Sequence, residues 1–145
     1  MSARPLLANA VQRLRAAEIE DATREARLLL AHALGVQAET LLLEPDRRVS
    51  PDEAAFFERL LVRRLAREPL FYILGEREFY GLSFRVDRRA LIPRPETELL
   101  VETVLELAKD RSADLTIADI GTGSGCIAVS LAVHLLRARI YATDI

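Results

Sequence analysis

A glycine-rich segment has the residue types and spacing in this sequence that are best suited to ligand chemistry. It runs Asp119-Ile-Gly121-Thr-Gly123-Ser-Gly125. Glycines let the backbone turn sharply and approach a ligand without an intervening Cβ. An apolar run at residues 115–120 precedes the turn, and a helical pattern begins at Cys126. A helix that begins there would point free N–H groups toward the turn. The spacing predicts a strand, a tight turn and a helix that together hold a ligand.

An acidic residue, Asp144, lies 19 residues after Gly125. That offset is close to the ~20 residues at which a carboxylate accepts hydrogen bonds from ribose hydroxyls, so a nucleoside-bearing ligand is indicated. A dinucleotide fingerprint would need glycine at position 126, which is Cys126, and a P-loop would need lysine after Gly125. We therefore favour S-adenosylmethionine, which has no pyrophosphate, over a dinucleotide or a turn without ligand.

Composition and charge exclude several classes of protein. The chain has 145 residues, 50% of them hydrophobic, so wholesale disorder is excluded. With 20 basic and 22 acidic side chains the net charge is -2, which disfavours a direct nucleic-acid partner. No apolar run reaches the ~18 residues of a membrane span, and the N-terminus shows no apolar signal-peptide core. One cysteine forms no internal disulfide. We expect a cytoplasmic protein with no membrane partner.

The elements before the glycine turn begin with helices. Apolar residues recur at helical spacing over residues 6–14, and a second apolar stripe starts after Asp21 and stops at Gly35. Asp21 is positioned to cap the second helix. Residues 50–53, Ser-Pro-Asp-Glu, are typical of a capping box, and the helix they start should continue until Pro69.

The period of the pattern changes after Pro69. Residues 79–86 alternate between apolar and polar side chains around Gly81, which predicts an antiparallel hairpin. Pro93 and Pro95 then enforce an extended loop. A helix should follow from residue 96 or 97 to Lys109. Its expected buried residues are Leu100, Val104 and Leu107.

Residues 114–145 hold a strand at 115–120, the glycine turn, a helix at 126–137 and a strand at 139–144. Such a βαβ unit should be right-handed, with parallel strands. Two parallel strands and one crossover helix do not complete a doubly wound sheet, which has helices on both faces. The sequence is therefore expected to be the N-terminal portion of a longer protein.

Four motifs together carry a resemblance to a known family. They are Phe71-Tyr-Ile-Leu-Gly-Glu76, Phe79-Tyr-Gly-Leu82, Leu91-Ile-Pro-Arg-Pro-Glu-Thr-Glu98 and Asp119-Ile-Gly-Thr-Gly-Ser-Gly-Cys-Ile127. The sequence resembles the HemK family of protein-glutamine N5-methyltransferases, which modify class I peptide chain release factors. The likeness covers the whole chain in layout, and the proline loop and the glycine turn in combination are more specific than either alone.

The resemblance implies an α/β fold with an N-terminal helical bundle, a β-hairpin linker and the first βαβ unit of a Rossmann-like methyltransferase domain. The implied bounds are 1–68 for a helical substrate-docking domain, 69–95 for the hairpin and proline-loop linker, and 96–145 for the start of the methyltransferase domain. The implied partner is a class I release factor, which the helical bundle would help to dock.

The resemblance also implies a reaction and a set of site residues. S-adenosylmethionine would give its methyl group to the side-chain amide nitrogen of the glutamine in the factor's Gly-Gly-Gln motif. The residues that match the cofactor loop are Gly121, Thr122, Gly123, Ser124 and Gly125. Asp144 matches the ribose contact, and Arg94, Glu96 and Thr97 match a loop near the active site. The family's catalytic Asn-Pro-Pro-Tyr motif has no equivalent in these 145 residues, so no catalytic residue is named and the chain alone should be inactive.

Three other functions stay open. A ribosomal-protein glutamine is an alternative acceptor, as is the amino group of adenine in nucleic acid. A non-catalytic partner-binding fragment is the alternative outside enzymes. The motif that follows in the longer protein would separate them, because Asn-Pro-Pro-Tyr supports an amide or amine acceptor.

Several residues have a structural interpretation beside the functional one. His32 and His134 lack a ligand cluster, so we expect no metal site. Cys126 is expected to pack beside the turn, and Asp119 to orient the turn in preference to contacting cofactor. The cluster Arg63, Arg64 and Arg67 is expected to be a solvated helix face, with docking as the alternative. Phe79, Tyr80 and Phe84 are expected in the hairpin core.

Overall fold

The computed structural model describes residues 1–109 and 115–145. The predicted start of the βαβ unit at residue 114 lies outside the described residues. The chain forms two compact units, Met1–Leu74 and Gly75–Ile145, and the helices come first. Within the described residues, every helix is too short or too polar to cross a membrane.

The first unit consists of helices. They are α1 (Ala3–Ala16), α2 (Ala22–Leu34), α3 (Thr40–Leu43), α4 (Pro51–Leu65) and α5 (Leu70–Leu74). Helix α2 packs against both α1 and α4. The apolar stripe predicted over residues 6–14 is confirmed where Ala10 and Leu14 enter the core, beside Leu30 and Phe57. This unit therefore closes a hydrophobic core of its own.

The predicted capping box at the start of α4 is confirmed. The Glu53 amide donates to Ser50 Oγ at 3.3 Å, and the Ser50 amide donates to Glu53 Oε2 at 2.8 Å. The bond from the Ser50 amide is the main reason that the pKa of Glu53 lies below its usual value. Gly35 ends α2 in the left-handed conformation, with φ 62°, as predicted.

The predicted capping hydrogen bond from α2 to the Asp21 side chain is absent. Asp21 stands at the N-cap of α2, but its side chain makes no capping hydrogen bond. An N-cap side chain reaches the helix amides from an extended backbone, whereas Asp21 has φ -97° and ψ 36°. Its carboxylate lies 3.5 Å from Arg24.

The predicted end of α4 at Pro69 is also wrong. The helix ends at Leu65, and Arg67 adopts a left-handed φ of 68°. Arg63 donates twice to the Glu68 carboxylate, at 2.8 Å for each bond, which holds the turn. The Pro69 carbonyl then accepts from the amides of Tyr72 and Ile73. Pro69 thus directly precedes α5, a helix that the sequence analysis did not predict, which agrees with the tolerance of proline at a helix start.

The second unit contains both strands and helices. They are β1 (Glu76–Phe79), β2 (Leu82–Arg85), a 3-10 turn (Pro95–Thr97), α6 (Glu98–Ala108), β3 (Thr116–Ile120), α7 (Cys126–His134) and β4 (Arg139–Thr143). β1 and β2 pair antiparallel, and β3 and β4 pair parallel. Tyr80 and Gly81 form the two-residue hairpin turn with φ of 51° and 72°, the signs of a type I′ turn. The predicted hairpin and parallel pair are confirmed, but α7 ends before the predicted Arg137.

The core of the second unit joins the hairpin to the helices. Phe79 and Phe84 pack with Val101 of α6 and with Cys126 and Leu131 of α7. The two rings meet edge to face, with centroids 6.2 Å apart. The hairpin, assigned from sequence to a linker over residues 69–95, thus supplies two of the buried aromatic side chains of this unit.

The predicted buried face of α6 is confirmed at Val104, which packs against the core, and is wrong at Leu100 and Leu107. Leu100 is 50% exposed and Leu107 is 69% exposed, whereas Val101 is fully buried and Ala108 nearly so. Val101 and Ala108 each follow a predicted residue by one position, and one position turns the side chain by about 100° around the helix axis. Apolar side chains occur on several sides of α6, so the helical period alone does not select the buried one.

Candidate functional site

The glycine turn and Asp144 meet at one edge of the β3–β4 pair. The parallel register places Ile120 beside Thr143, so the residues that follow both strands leave the sheet together. The Gly123 amide donates to Asp144 Oδ2 at 2.7 Å. The spacing that singled out these two features in the sequence therefore corresponds to direct contact in the fold.

Three glycines of the turn have backbones that other residues rarely adopt. Gly121, Gly123 and Gly125 have φ of 76°, 56° and 79°. A Cβ on Gly121 or Gly123 would meet no atom within 4 Å. Glycine is therefore needed at these positions for the turn itself, and the space beside the backbone is open to a ligand.

The amides of the turn are largely occupied by acceptors within the protein. The Thr143 carbonyl accepts from Gly121 at 2.8 Å and from Thr122 at 3.0 Å, and the Thr122 carbonyl accepts from Gly125 at 2.9 Å. With the Gly123 bond to Asp144, four of the five amides over residues 121–125 are used. A phosphate-binding turn instead offers its amides to the ligand. This turn is built differently from a phosphate cradle.

Asp119, at the end of β3, binds the turn and the following helix with one oxygen. Its Oδ2 accepts from Thr122 Oγ1 at 2.7 Å and from the Ala128 amide at 3.2 Å. These bonds agree with the predicted orienting role. The expectation that the first turn of α7 presents free amides is wrong at Ala128, because Asp119 occupies it. The sequence analysis also missed the Thr143 carbonyl as an acceptor for the amides of the turn. The parallel register, which pairs Thr143 with Ile120, would have indicated it.

The electrostatic character of the turn follows from its two carboxylates. Asp119 is half-buried and Asp144 is exposed, and each accepts a hydrogen bond from a residue of the turn. Neither forms a salt bridge within the described part of the chain. Two carboxylates without cationic partners favour a ligand that carries positive charge over a phosphate.

Other candidate residues have structural partners. Cys126 is buried at the start of α7. His134 Nδ1 lies 2.7 Å from the Ser130 carbonyl, and its ring meets the Tyr80 ring edge to face. His32 lies beside Phe56, with ring centroids 6.1 Å apart. Over residues 1–109 and 115–145, no group of three His, Cys, Asp or Glu residues is placed to hold a metal ion.

The predicted solvated face of the arginine cluster is confirmed at Arg63 and Arg67, which are exposed, and is wrong at Arg64. Arg63 is bound to Glu68, which raises the pKa of its guanidinium, chiefly through the side-chain hydrogen bond. Arg64 donates to both oxygens of Glu25, and both side chains are mostly buried. Arg67 is exposed and, among the described residues, is the one member of the cluster without an ion pair.

The proline loop carries three of the residues that the resemblance placed near the active site. Arg94 and Glu96 are exposed, and Thr97 is half-buried and donates its amide to the Arg94 carbonyl. In the described part of the chain, no hydrogen bond or ion pair joins these three residues to the glycine turn. Their place near an active site stays a prediction.

Comparison with known proteins supports a family assignment. Residues 5–75 match the family model described as the PrmC N-terminal domain, close to the bounds of the first unit. The chain is 48% identical over 126 residues to a release factor glutamine methyltransferase of Nitratidesulfovibrio vulgaris, covering 87% of this chain and 42% of that protein. It is 46% identical over 145 residues to proteins of the same name from Moorella thermoacetica and Cereibacter sphaeroides, covering 100% of this chain and 51% and 50% of theirs.

A more distant match bears a different name. A bifunctional methyltransferase of Rickettsia prowazekii is 39% identical and covers 99% of this chain and 31% of that protein. The chain spans about half the length of the three release factor glutamine methyltransferases named above. Because two relatives at 46% identity match along the whole chain and the first unit matches the PrmC N-terminal domain, the chain belongs to the HemK family of release factor glutamine methyltransferases.

Proposed function

We propose that this chain is the N-terminal portion of an S-adenosylmethionine-dependent methyltransferase. The complete enzyme would methylate the side-chain amide nitrogen of the Gly-Gly-Gln glutamine in class I release factors. The observation that carries the proposal is the 46% identity to two proteins named release factor glutamine methyltransferase, which covers the whole chain and so includes the glycine turn. A release factor substrate would place the enzyme in the cytoplasm.

The cofactor proposal is supported by the charge and hydrogen bonding of the turn. S-adenosylmethionine carries a sulfonium and an ammonium group and no phosphate. These cations suit a turn flanked by Asp119 and Asp144, whereas a pyrophosphate would meet two carboxylates and few free amides. The proposed cofactor residues are Gly121, Thr122, Gly123, Ser124, Gly125 and Asp144.

Asp144 has the capacity for a ribose contact in addition to its bonds within the protein. Its Oδ2 accepts from the Gly123 amide and its Oδ1 from the Ile145 amide. An ionised carboxylate offers about four lone-pair sites, so two remain for ribose hydroxyls. The Gly123 bond would hold the carboxylate beside the turn before the nucleoside arrives.

The chemistry of the acceptor explains why orientation matters. An amide nitrogen is a weak nucleophile because its lone pair is delocalised into the carbonyl. When bound, S-adenosylmethionine supplies the electrophilic methyl group. The glycine turn and Asp144 would fix the cofactor, so that a correctly oriented amide can be brought into line with it. We assign no residue of this chain to contact with the amide.

The first unit is the proposed docking module for the release factor. It closes its own core, matches a family model of its own and contains none of the cofactor residues. A ribosomal-protein glutamine and a nucleic-acid adenine are the other acceptors to test. The net charge of -2 gives no support to nucleic acid.

The cofactor assignment is tested on the full-length enzyme by titration calorimetry with S-adenosylmethionine. Asp144→Ala should weaken binding by about 1.5–3 kcal/mol, or about 10- to 150-fold, the range for hydrogen bonds to a charged group. Asp87→Ala is the matched control, because Asp87 is an exposed acid of the same unit that binds Arg89. Tighter binding of NAD than of S-adenosylmethionine, or equal losses in both variants, would refute the assignment.

The acceptor is tested by methyl transfer from labelled S-adenosylmethionine to three purified substrates. We expect label on a class I release factor and none on the same factor with its Gly-Gly-Gln glutamine changed to glutamate. Label on a ribosomal protein or an adenine-containing oligonucleotide, with none on the factor, would replace the proposed substrate.

A further inference from the structure

We propose that Asp119 is a positioning residue, which fixes the shape of the glycine turn through Thr122 and the start of α7 without contacting the cofactor. The inference rests on the proposed function for the identity of the ligand. It assigns different roles to the two carboxylates of the site: Asp144 contacts the nucleoside, and Asp119 fixes the backbone of the turn through hydrogen bonds.

The direction of the Asp119 side chain supports this division. Along β3, Ile117 and Asp119 are half-buried, while Ala118 and Ile120 are exposed on the other face. Ile117 packs into the core that includes α7 residues. Since alternate side chains of a strand share a face, Asp119 points toward α7 with Ile117. The Asp119 carboxylate is therefore directed into the unit, where its hydrogen-bond donors lie.

The hydrogen bonds of Asp119 join three consecutive elements. The hydroxyl of Thr122 donates at 2.7 Å, which is typical of a bond to an ionised oxygen. The Ala128 amide, which donates at 3.2 Å, belongs to the first turn of α7, where amides have no partner within the helix. One oxygen thus connects the end of β3, the tip of the turn and the start of α7.

Removal of this carboxylate should loosen the turn before any ligand binds. Thr122 would lose the acceptor of its hydroxyl and Ala128 the acceptor of its amide. Ligand binding would then have to order the turn, and that cost weakens affinity. A direct ligand contact by Asp119 would lower affinity too, but independently of Thr122. The two roles therefore predict different affinities for a variant in which Asp119 and Thr122 are both substituted.

A double-mutant cycle on the full-length enzyme separates these roles. Asp119→Ala should weaken S-adenosylmethionine binding at least tenfold and Thr122→Val several-fold in calorimetry. The double variant should bind within about twofold of Asp119→Ala, because valine removes only the Thr122 hydroxyl, whose bond to Asp119 is already lost, and keeps the Thr122 backbone at the proposed cofactor site. Asp119→Asn keeps the side-chain size and one oxygen, so its affinity should lie between those of the wild type and Asp119→Ala. Thr116→Val is the matched control, because Thr116 is an exposed threonine of β3, and it should leave the affinity for S-adenosylmethionine unchanged.

A measurement without ligand makes the test independent of the proposed function. Amide hydrogen exchange at Ala128 should become at least tenfold faster in Asp119→Ala, and Thr122→Ser should keep the wild-type rate. Glu98→Ala is the control, since it removes a carboxylate bond to the Tyr80 amide elsewhere in the unit. Additive losses in the cycle, or an unchanged Ala128 rate, would overturn the inference. If the wild type does not bind S-adenosylmethionine, the proposed function fails and the exchange rates alone decide this inference.

Discussion

Individual side chains near the glycine turn differ in how well their polar groups are satisfied. Asp119 and Asp144 each accept two hydrogen bonds from the protein. Ser130 is fully buried, yet its Oγ has no hydrogen-bond partner among the described residues. A buried hydroxyl without a partner costs about 1–3 kcal/mol of desolvation. Its removal is therefore an informative change at the scale of one residue.

We predict that Ser130→Ala stabilises the second unit by about 1 kcal/mol, because it removes the unpaired hydroxyl and introduces a better helix former. The measurement is hydrogen exchange of the most protected amides of α7 in the 145-residue chain. Ser130→Cys, which replaces the hydroxyl with a slightly larger group that is a weaker donor, should have a stability between those of the wild type and Ser130→Ala. A loss of stability in Ser130→Ala would mean that the hydroxyl has a bonding partner.

Among the elements, two bidentate Arg–Glu pairs connect helices of the first unit in different environments. Arg64 of α4 binds Glu25 of α2 at 2.6 and 3.2 Å, with side chains 16% and 15% exposed. Arg13 of α1 binds Glu58 of α4 at 2.7 and 2.8 Å, with 33% and 49% exposed. The two pairs have similar geometry and differ in burial, and Arg64 also donates to the Glu68 carbonyl at 3.3 Å.

We predict that Arg64→Met lowers the free energy of unfolding by about 1–3 kcal/mol, because it leaves Glu25 unpaired in a mostly buried position. The matched change Arg13→Met should cost less than about 1 kcal/mol, since water solvates the released Glu58. Urea denaturation followed by helical circular dichroism measures both. Equal losses would show that the burial of the pair does not decide its contribution.

At the scale of the whole molecule, the two units differ in how completely they cover apolar surface. The first unit buries a large cluster contributed by all five of its helices. In the second, Leu99 and Leu107 of α6, Ile120 of β3 and Tyr141 of β4 are exposed. Each strand of the β3–β4 pair has one neighbour among the described residues, so each has an open edge.

We predict that the 145-residue chain exchanges its β3 and β4 amides much faster than those of α4, because open edges give little protection against local opening. Hydrogen exchange with peptide-level mass spectrometry compares Thr116–Ile120 and Arg139–Thr143 with Pro51–Leu65. Comparable protection in the strands and in α4 would show that the second unit is as stable as the first without further partners.

Features that depend on neighbours in sequence were predictable. The capping box at Ser50, the left-handed stop at Gly35 and the hairpin turn at Gly81 need only local backbone preferences and side chains within reach. The glycine turn and its relation to Asp144 also followed from spacing, because a strand, a helix and a parallel strand bring the two strand ends to one edge.

Features that depend on distant partners were decided only by the tertiary structure. The buried face of α6 is set by the hairpin and α7, since apolar residues on several sides offered more than one stripe. The site followed the same rule. Glycines and carboxylates could be recognised in the sequence, but only the fold brings the Thr143 carbonyl, Asp119 and Asp144 onto the amides of the turn and its helix, which makes it a poor phosphate cradle.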